Sequence, residues 1–169
     1  MVALDERLVR APLSTIFELA TRVEGWPQHL SHYRYVRFRE QRSDGGGVVE
    51  MSAYRPFAAF ETSKSHPKSR PGFKWPTWWL SEMSVNRVVP CIRFRHVGGI
   101  TTGMEVEWAF TPVPDGTHVR ILHVWDGPRI PIIGTWAAMH VIGPVFVHGI
   151  ASRTLAGLGA VAEREAQKQ

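Results

Sequence analysis

The feature that most restricts this chain is a switch in hydrophobic period. Between residues 33 and 125 apolar residues recur at every second position in successive short runs, while near the two ends the spacing becomes three and four. Period two sends alternate side chains to opposite faces of a strand, so these runs build a sheet with one apolar face. Val36 and Phe38 alternate with Arg37 and Arg39. After the turn signal Asp44-Gly45-Gly46-Gly47, Val49, Met51 and Ala53 share one parity, and Glu50 and Ser52 the other, which reads as a β-hairpin. The same pattern continues through Trp79, Ser81, Met83 and Val85, then Ile92, Phe94 and His96, then Met104, Val106, Trp108 and Phe110. Past Pro114-Asp115-Gly116 it closes with Val119, Ile121, His123 and Trp125. Such a meander needs a cover for its apolar face.

The helical segments supply one. Leu4, Arg7 and Val9 mark a first strand, and Ala11-Pro12 ends it. Leu13, Ile16, Phe17 and Ala20 then recur at helical spacing to about Arg22, and Trp26-Pro27 opens a second helical turn ending near Ser31. The last helix runs through Leu155, Leu158, Val161 and Ala162 to Glu163-Arg164-Glu165. The expected fold is α+β: about seven antiparallel strands in a curved sheet wrapped around a long C-terminal helix, with two short helices after strand 1. At 169 residues the chain fits one domain, 1–169. An apolar small molecule would sit between sheet and helix.

Two stretches interrupt the rhythm. Residues 55–77 combine Pro56, Pro67, Pro71 and Pro76 with Arg55, Lys64, Lys68, Arg70 and Lys74, and read as a basic loop insertion. Ile130 to Ser152 carries no Asp, Glu, Lys or Arg. Its interruption by Pro131, Gly134, Gly143-Pro144 and Gly149 argues against a membrane span and for an apolar lid over 128–143 leading into the final helix. A lid of that kind could touch a bilayer during ligand exchange.

Composition narrows the setting. Twenty Lys and Arg against fifteen Asp and Glu give a net charge of +5, which suits an anionic membrane surface or an acidic ligand as well as a plain solvated surface; no motif favours nucleic acid. The lone Cys91 can form no internal disulfide, and Met1 to Arg10 lacks the apolar core of a secretory signal, so a cytoplasmic protein, in contact with the membrane at most peripherally, is expected.

Several local motifs resemble one family. Ala11-Pro12-Leu13-Ser14-Thr15-Ile16-Phe17 is similar to the start of its first helix, and Trp26-Pro27 with Tyr33 to its Trp-Pro segment. Gly116-Thr117-His118-Val119 resembles the approach to its last strand, and Arg153-Thr154-Leu155 with Leu158 and Glu163 its closing helix. Through them the chain resembles the START-like superfamily of polyketide cyclases and lipid-transport proteins, whose helix-grip fold encloses a deep apolar cavity. The resemblance implies a ligand among lipids, quinones and aromatic polyketides. In the aromatase/cyclases, a Tyr matched here by Tyr33 and an Arg on a central strand help fold and dehydrate the chain. That strand reads Trp79-Leu80-Ser81-Glu82-Met83-Ser84-Val85 here, with Arg87 displaced into the following turn, so no Arg is carried over.

Candidate site residues follow from strand parity and from the resemblance. The cavity walls are expected to be Trp79, Ser81, Met83, Phe94, His96, Trp108, Phe110, Ile121, Trp125, Trp136 and Leu155. Tyr33 and His123 are the candidate proton donors or acceptors. His96 and His123 point inward by parity; a buried imidazole is either bonded inside the protein, to a hydroxyl such as that of Ser81, or kept for a ligand. His29 and His32 read as surface histidines, and nothing indicates a metal or a cofactor. Three roles stay open: a cyclase-type enzyme or binder of an aromatic or polyketide-like molecule, a lipid or quinone carrier that contacts the membrane, and a ribosome-associated regulator.

Overall fold

The computed structural model describes residues 1–55, 75–99, 101–127 and 147–168. Strand β1 (Val2–Val9) leads through helix α1 (Leu13–Thr21), a 3-10 turn at Val23–Gly25 and helix α2 (Trp26–His29) into six strands. These are β2 (Tyr33–Gln41), β3 (Gly47–Arg55), β4 (Trp75–Asn86), β5 (Cys91–Gly99), β6 (Glu105–Val113) and β7 (Gly116–Val124), followed by the long helix α3 (His148–Ala166). The sheet order is β1-β7-β6-β5-β4-β3-β2, antiparallel throughout. Neighbours in sequence are neighbours in space except at β1, which closes the far edge against β7 after α1 and α2 have carried the chain across. This is the helix-grip arrangement.

Parity decides what each strand buries. Ile92, Phe94 and His96 of β5 and Val119, Ile121 and His123 of β7 are buried, as are Val106, Trp108 and Phe110 of β6. Onto this face α3 lays Ile150, Ala151, Thr154, Leu155, Leu158, Val161 and Ala162, a stripe at three- and four-residue spacing. The opposite sheet face carries charges in cross-strand pairs, such as Arg93 with Glu107 at 2.7 Å.

Three irregularities depart from strict alternation. Tyr33 pairs with Ala53 and Tyr35 with Ser52, so one extra residue, Arg34, bulges from β2. A second shift separates Phe38 from Glu40. A third lies where Leu80 pairs with Gly98 and Ser81 with His96. Beside it Gly99 has φ +89°, and a Cβ there would stand 2.5 Å from the Trp78 carbonyl oxygen, so only glycine fits.

The basic loop is shorter than 55–77. Arg55 closes β3, and Trp75, Pro76 and Thr77 open β4, where they pair with Arg55, Tyr54 and Ala53. The prolines hide these strand ends, since Pro76 occupies a strand start, where a missing N–H is tolerated. The remainder of that loop, the 128–143 lid and Trp136 lie outside the described residues, and with them the expected membrane contact; residues 148–152 open α3. Among the described residues no helix is long and apolar enough to cross a membrane.

Leu158, fully buried in α3, tests the helix–sheet contact. Leu158→Ala is expected to destabilise the protein by about 3 kcal/mol, whereas Leu8→Ala, at a position 42% exposed, should stay within about 0.5 kcal/mol. Urea unfolding measures both.

Candidate ligand cavity

An internal cavity of about 60 Å³ lies between the sheet and the first turns of α3. Val147, Ile150, Ala151 and Thr154 roof it, and its floor comes from the inward positions of β3 to β7. Its walls are rings. Trp26 of α2 stacks on Trp108 at 5.6 Å between centroids and meets Tyr33 edge-on at 5.5 Å. Trp79 lies 6.3 Å from Tyr33 and stacks on His96 at 6.0 Å. The Trp26 indole donates to the Leu19 carbonyl at 3.2 Å, which fixes the ring. Met51 and Met104 complete the lining as flexible, polarizable fillers.

Of the expected residues, the cavity brings together Tyr33, Trp79, Phe94, His96, Trp108, Ile121 and His123. Ser81, Met83, Phe110, Trp125 and Leu155 are buried but lie outside this lining. Phe110 instead packs edge-on against Phe17 at 5.2 Å, and the Trp125 indole donates to the Thr102 carbonyl at 3.1 Å. Correct parity places a side chain on the inner face; only its position along the strand decides whether it meets the cavity or the solid core.

The polar groups of the described lining are few and uncharged. Among the described residues, no Asp, Glu, Lys or Arg lines the cavity. His96 shares a 2.6 Å hydrogen bond through Nδ1 with Thr101, not with Ser81. Among the described residues the Ser81 hydroxyl and His123 Nδ1 have no hydrogen-bond partner. Burial pulls the His96 imidazole down to about 3, helped by the neighbouring His123, and burial alone pulls His123 down to about 4. Both rings are therefore neutral at pH 7. Burial also pushes the Tyr33 phenol well above its ordinary range, partly offset by its hydrogen bond with Thr154. A neutral phenol can donate a proton and a neutral imidazole can accept one.

Four contributors were not visible in the sequence. Trp26 carried a helix-start signal that concealed its wall role. Thr101 sits in a loop, beyond any strand parity. Thr154 reads as a polar interruption of the α3 stripe, yet it is buried and bonded to the Tyr33 hydroxyl at 3.3 Å. His32, expected at the surface, is half-buried, with Nε2 3.0 Å from Thr154 Oγ1 and its ring 4.8 Å from that of Tyr33; His29 is exposed.

A larger hollow of about 640 Å³ lies on the opposite sheet face, among Glu40, Arg42, Glu82, Arg93, Arg95, Glu105 and Glu107. Its charges of both signs are arranged in cross-strand pairs, so it offers no sign preference to a ligand.

A curved sheet gripping one helix over a ring-lined neutral cavity defines a class of proteins that enclose an apolar small molecule. Residues 9–140 match the family described as polyketide cyclase / dehydrase and lipid transport, and the chain belongs to it. A provisionally named polyketide cyclase of Streptomyces halstedii is 25% identical over 117 residues, 69% of this chain and 93% of that protein. Two solved structures share the fold. The Zhui aromatase/cyclase from Streptomyces sp. R1128 superposes with a TM-score of 0.77 at 16% identity, over 98% of this chain and 94% of that one. A START superfamily protein from Mycobacterium smegmatis gives 0.61 at 15% identity, over 99% and 97%.

The neutral imidazoles carry a pH signature. His123 falls from 6.5 to about 4 on folding. Between those values the unfolded chain binds a proton that the folded chain does not, so stability is complete above pH 6.5 and is lost as pH falls toward 4. The slope per imidazole is about 1.4 kcal/mol per pH unit. Urea midpoints between pH 7 and 5 should therefore fall less steeply in His123→Phe than in the wild type; an equal slope would contradict the burial of a neutral ring.

Proposed function

We propose that the chain binds a neutral, ring-bearing molecule with at least one carbonyl or hydroxyl group, and that Tyr33 and His123 can act on it as a cyclase-type acid and base. One observation carries the reading: His123 Nδ1 is buried in an apolar cavity with no partner among the described residues. A buried polar group left unpaired costs about 1–3 kcal/mol, a cost that a ligand hydrogen bond removes. The ring-lined wall supports a flat apolar partner, and the uncharged lining favours a neutral one.

Chemistry follows from the same groups. On a polyketide-like chain, His123 would take a proton from the carbon between two carbonyls, while Tyr33 donates to the carbonyl oxygen on which charge develops. The Streptomyces halstedii protein and the Zhui aromatase/cyclase carry names consistent with that reaction. A lipid or quinone carrier is the second reading. It is favoured by the described lining, which holds no cation and offers only neutral donors to stabilise an oxyanion. The cavity holds about four water-sized volumes, so a longer ligand enters by displacing the flexible Met51 and Met104.

Trp26, Trp79 and Trp108 report binding directly. Titration with 1-naphthol should quench tryptophan fluorescence saturably. His123→Leu should weaken 1-naphthol by about ten-fold, the equivalent of one hydrogen bond, and leave naphthalene unchanged. Equal losses for both probes would remove the polar contact. With a poly-β-ketone thioester, turnover in Tyr33→Phe and His123→Leu should fall about 100-fold; wild-type binding without turnover would favour the carrier.

A further inference from the structure

Tyr33 is buried against the cavity, so a phenol that gives up its proton needs a way to recover it. A route leads outward through the cavity roof. Thr154 Oγ1, itself buried, stands 3.3 Å from the Tyr33 hydroxyl, 3.0 Å from His32 Nε2 and 2.8 Å from the Ile150 carbonyl. A hydroxyl has one proton and two lone pairs. With three neighbours it can donate to Ile150 and accept from the other two, or turn its proton toward His32 or Tyr33. Those are the alternatives that a relay requires. His32 is the outer member, half-buried where Tyr33 and Thr154 are buried.

Local backbone explains why two consecutive residues share one side. The chain becomes regular strand only at Tyr33, whose N–H is bonded back to the Leu30 carbonyl at 3.0 Å, while the His32 carbonyl accepts from the Tyr54 N–H at 2.8 Å. The two rings therefore lie 4.8 Å apart instead of on opposite faces.

We propose that Thr154 and His32 form a proton relay linking the Tyr33 phenol inside the cavity to solvent; this rests on the reading of Tyr33 as a proton donor to the ligand. As the Tyr33 O–H bond breaks and the ligand oxygen gains that proton, Thr154 passes its hydroxyl proton to the phenol oxygen. His32 passes its Nε2 proton to Thr154, and water protonates Nδ1, so the imidazole changes tautomer and stays neutral. The proton that His123 took from the ligand carbon is released to water on ligand exchange, where it neutralises the hydroxide left behind. Burial, helped by the charge of Arg153, holds the His32 imidazole down to about 4, which disfavours a stalled imidazolium.

The test reads hydroxyl exchange in the ligand-free protein. With ¹³Cζ-labelled tyrosine in mixed H₂O and D₂O, the Tyr33 signal, assigned by its loss in Tyr33→Phe, should be a single averaged line in the wild type. In Thr154→Val it should split into separate O–H and O–D lines, with exchange slowed roughly 100-fold, the low end of what a positioned acid–base group contributes. Thr154→Ser should restore the single line. His32→Phe, at a half-buried site that keeps Thr154 in place, should slow exchange as Thr154→Val does. Wild-type averaging in either Thr154→Val or His32→Phe, or no rescue by Thr154→Ser, overturns the relay. If 1-naphthol binds while exchange ignores both positions, the relay alone falls; if exchange behaves as expected without 1-naphthol binding, the relay stands and the ligand reading falls.

Discussion

Everything in this fold depends on the apolar stripe of α3 being seated against the inner face of one curved sheet. Among the described residues, α3, α1 and α2 cover that face. The close fit of the helix is visible at Gly157, where a Cβ would come within 2.2 Å of Leu30 Cδ2. Along its C-terminal half α3 packs solidly, with Leu158 and Ala162 fully buried. Toward its N-terminal end the packing opens, and Val147, Ile150, Ala151 and Thr154 become the roof of the cavity. The same contact thus holds the sheet at one end and leaves room for a ligand at the other.

That geometry sets the electrostatics. Groups placed between helix and sheet lose their water, and with no charge among the described lining residues the two cavity imidazoles settle in the neutral state and the phenol keeps its proton. Thr101 satisfies His96 from the β5–β6 loop and Trp79 stacks on its ring. Among the described residues His123 Nδ1 has no partner. The outer face of the sheet carries paired charges instead, as where Glu50 accepts from the Tyr35 hydroxyl and the Arg37 and Arg39 guanidinium groups.

Strand parity made most of this architecture readable from the amino-acid order alone. The inward sets of β5, β6 and β7 are those expected from alternation, because a sheet with one buried face tolerates no register error. Tyr33 is instructive: counted back from Val36, strict alternation would turn it outward, and only the bulge at Arg34 returns it to the inner face. Its place in the cavity was legible through resemblance and not through period. Thr154 and His32 were legible by neither route, since their role arises from a hydrogen bond between residues 122 positions apart. Parity likewise could not separate Trp108, at the cavity, from Phe110, one step along the same face and packed on Phe17.

The central claim is that this cavity is a site in which burial keeps His96 and His123 uncharged. Nitrogen-15 NMR of the histidine side chains, followed from pH 7.5 down to about 5, tests it most directly. The account predicts that both rings keep the shifts of neutral imidazole over that whole range; titration of either ring near its unperturbed value of about 6.5 would contradict it.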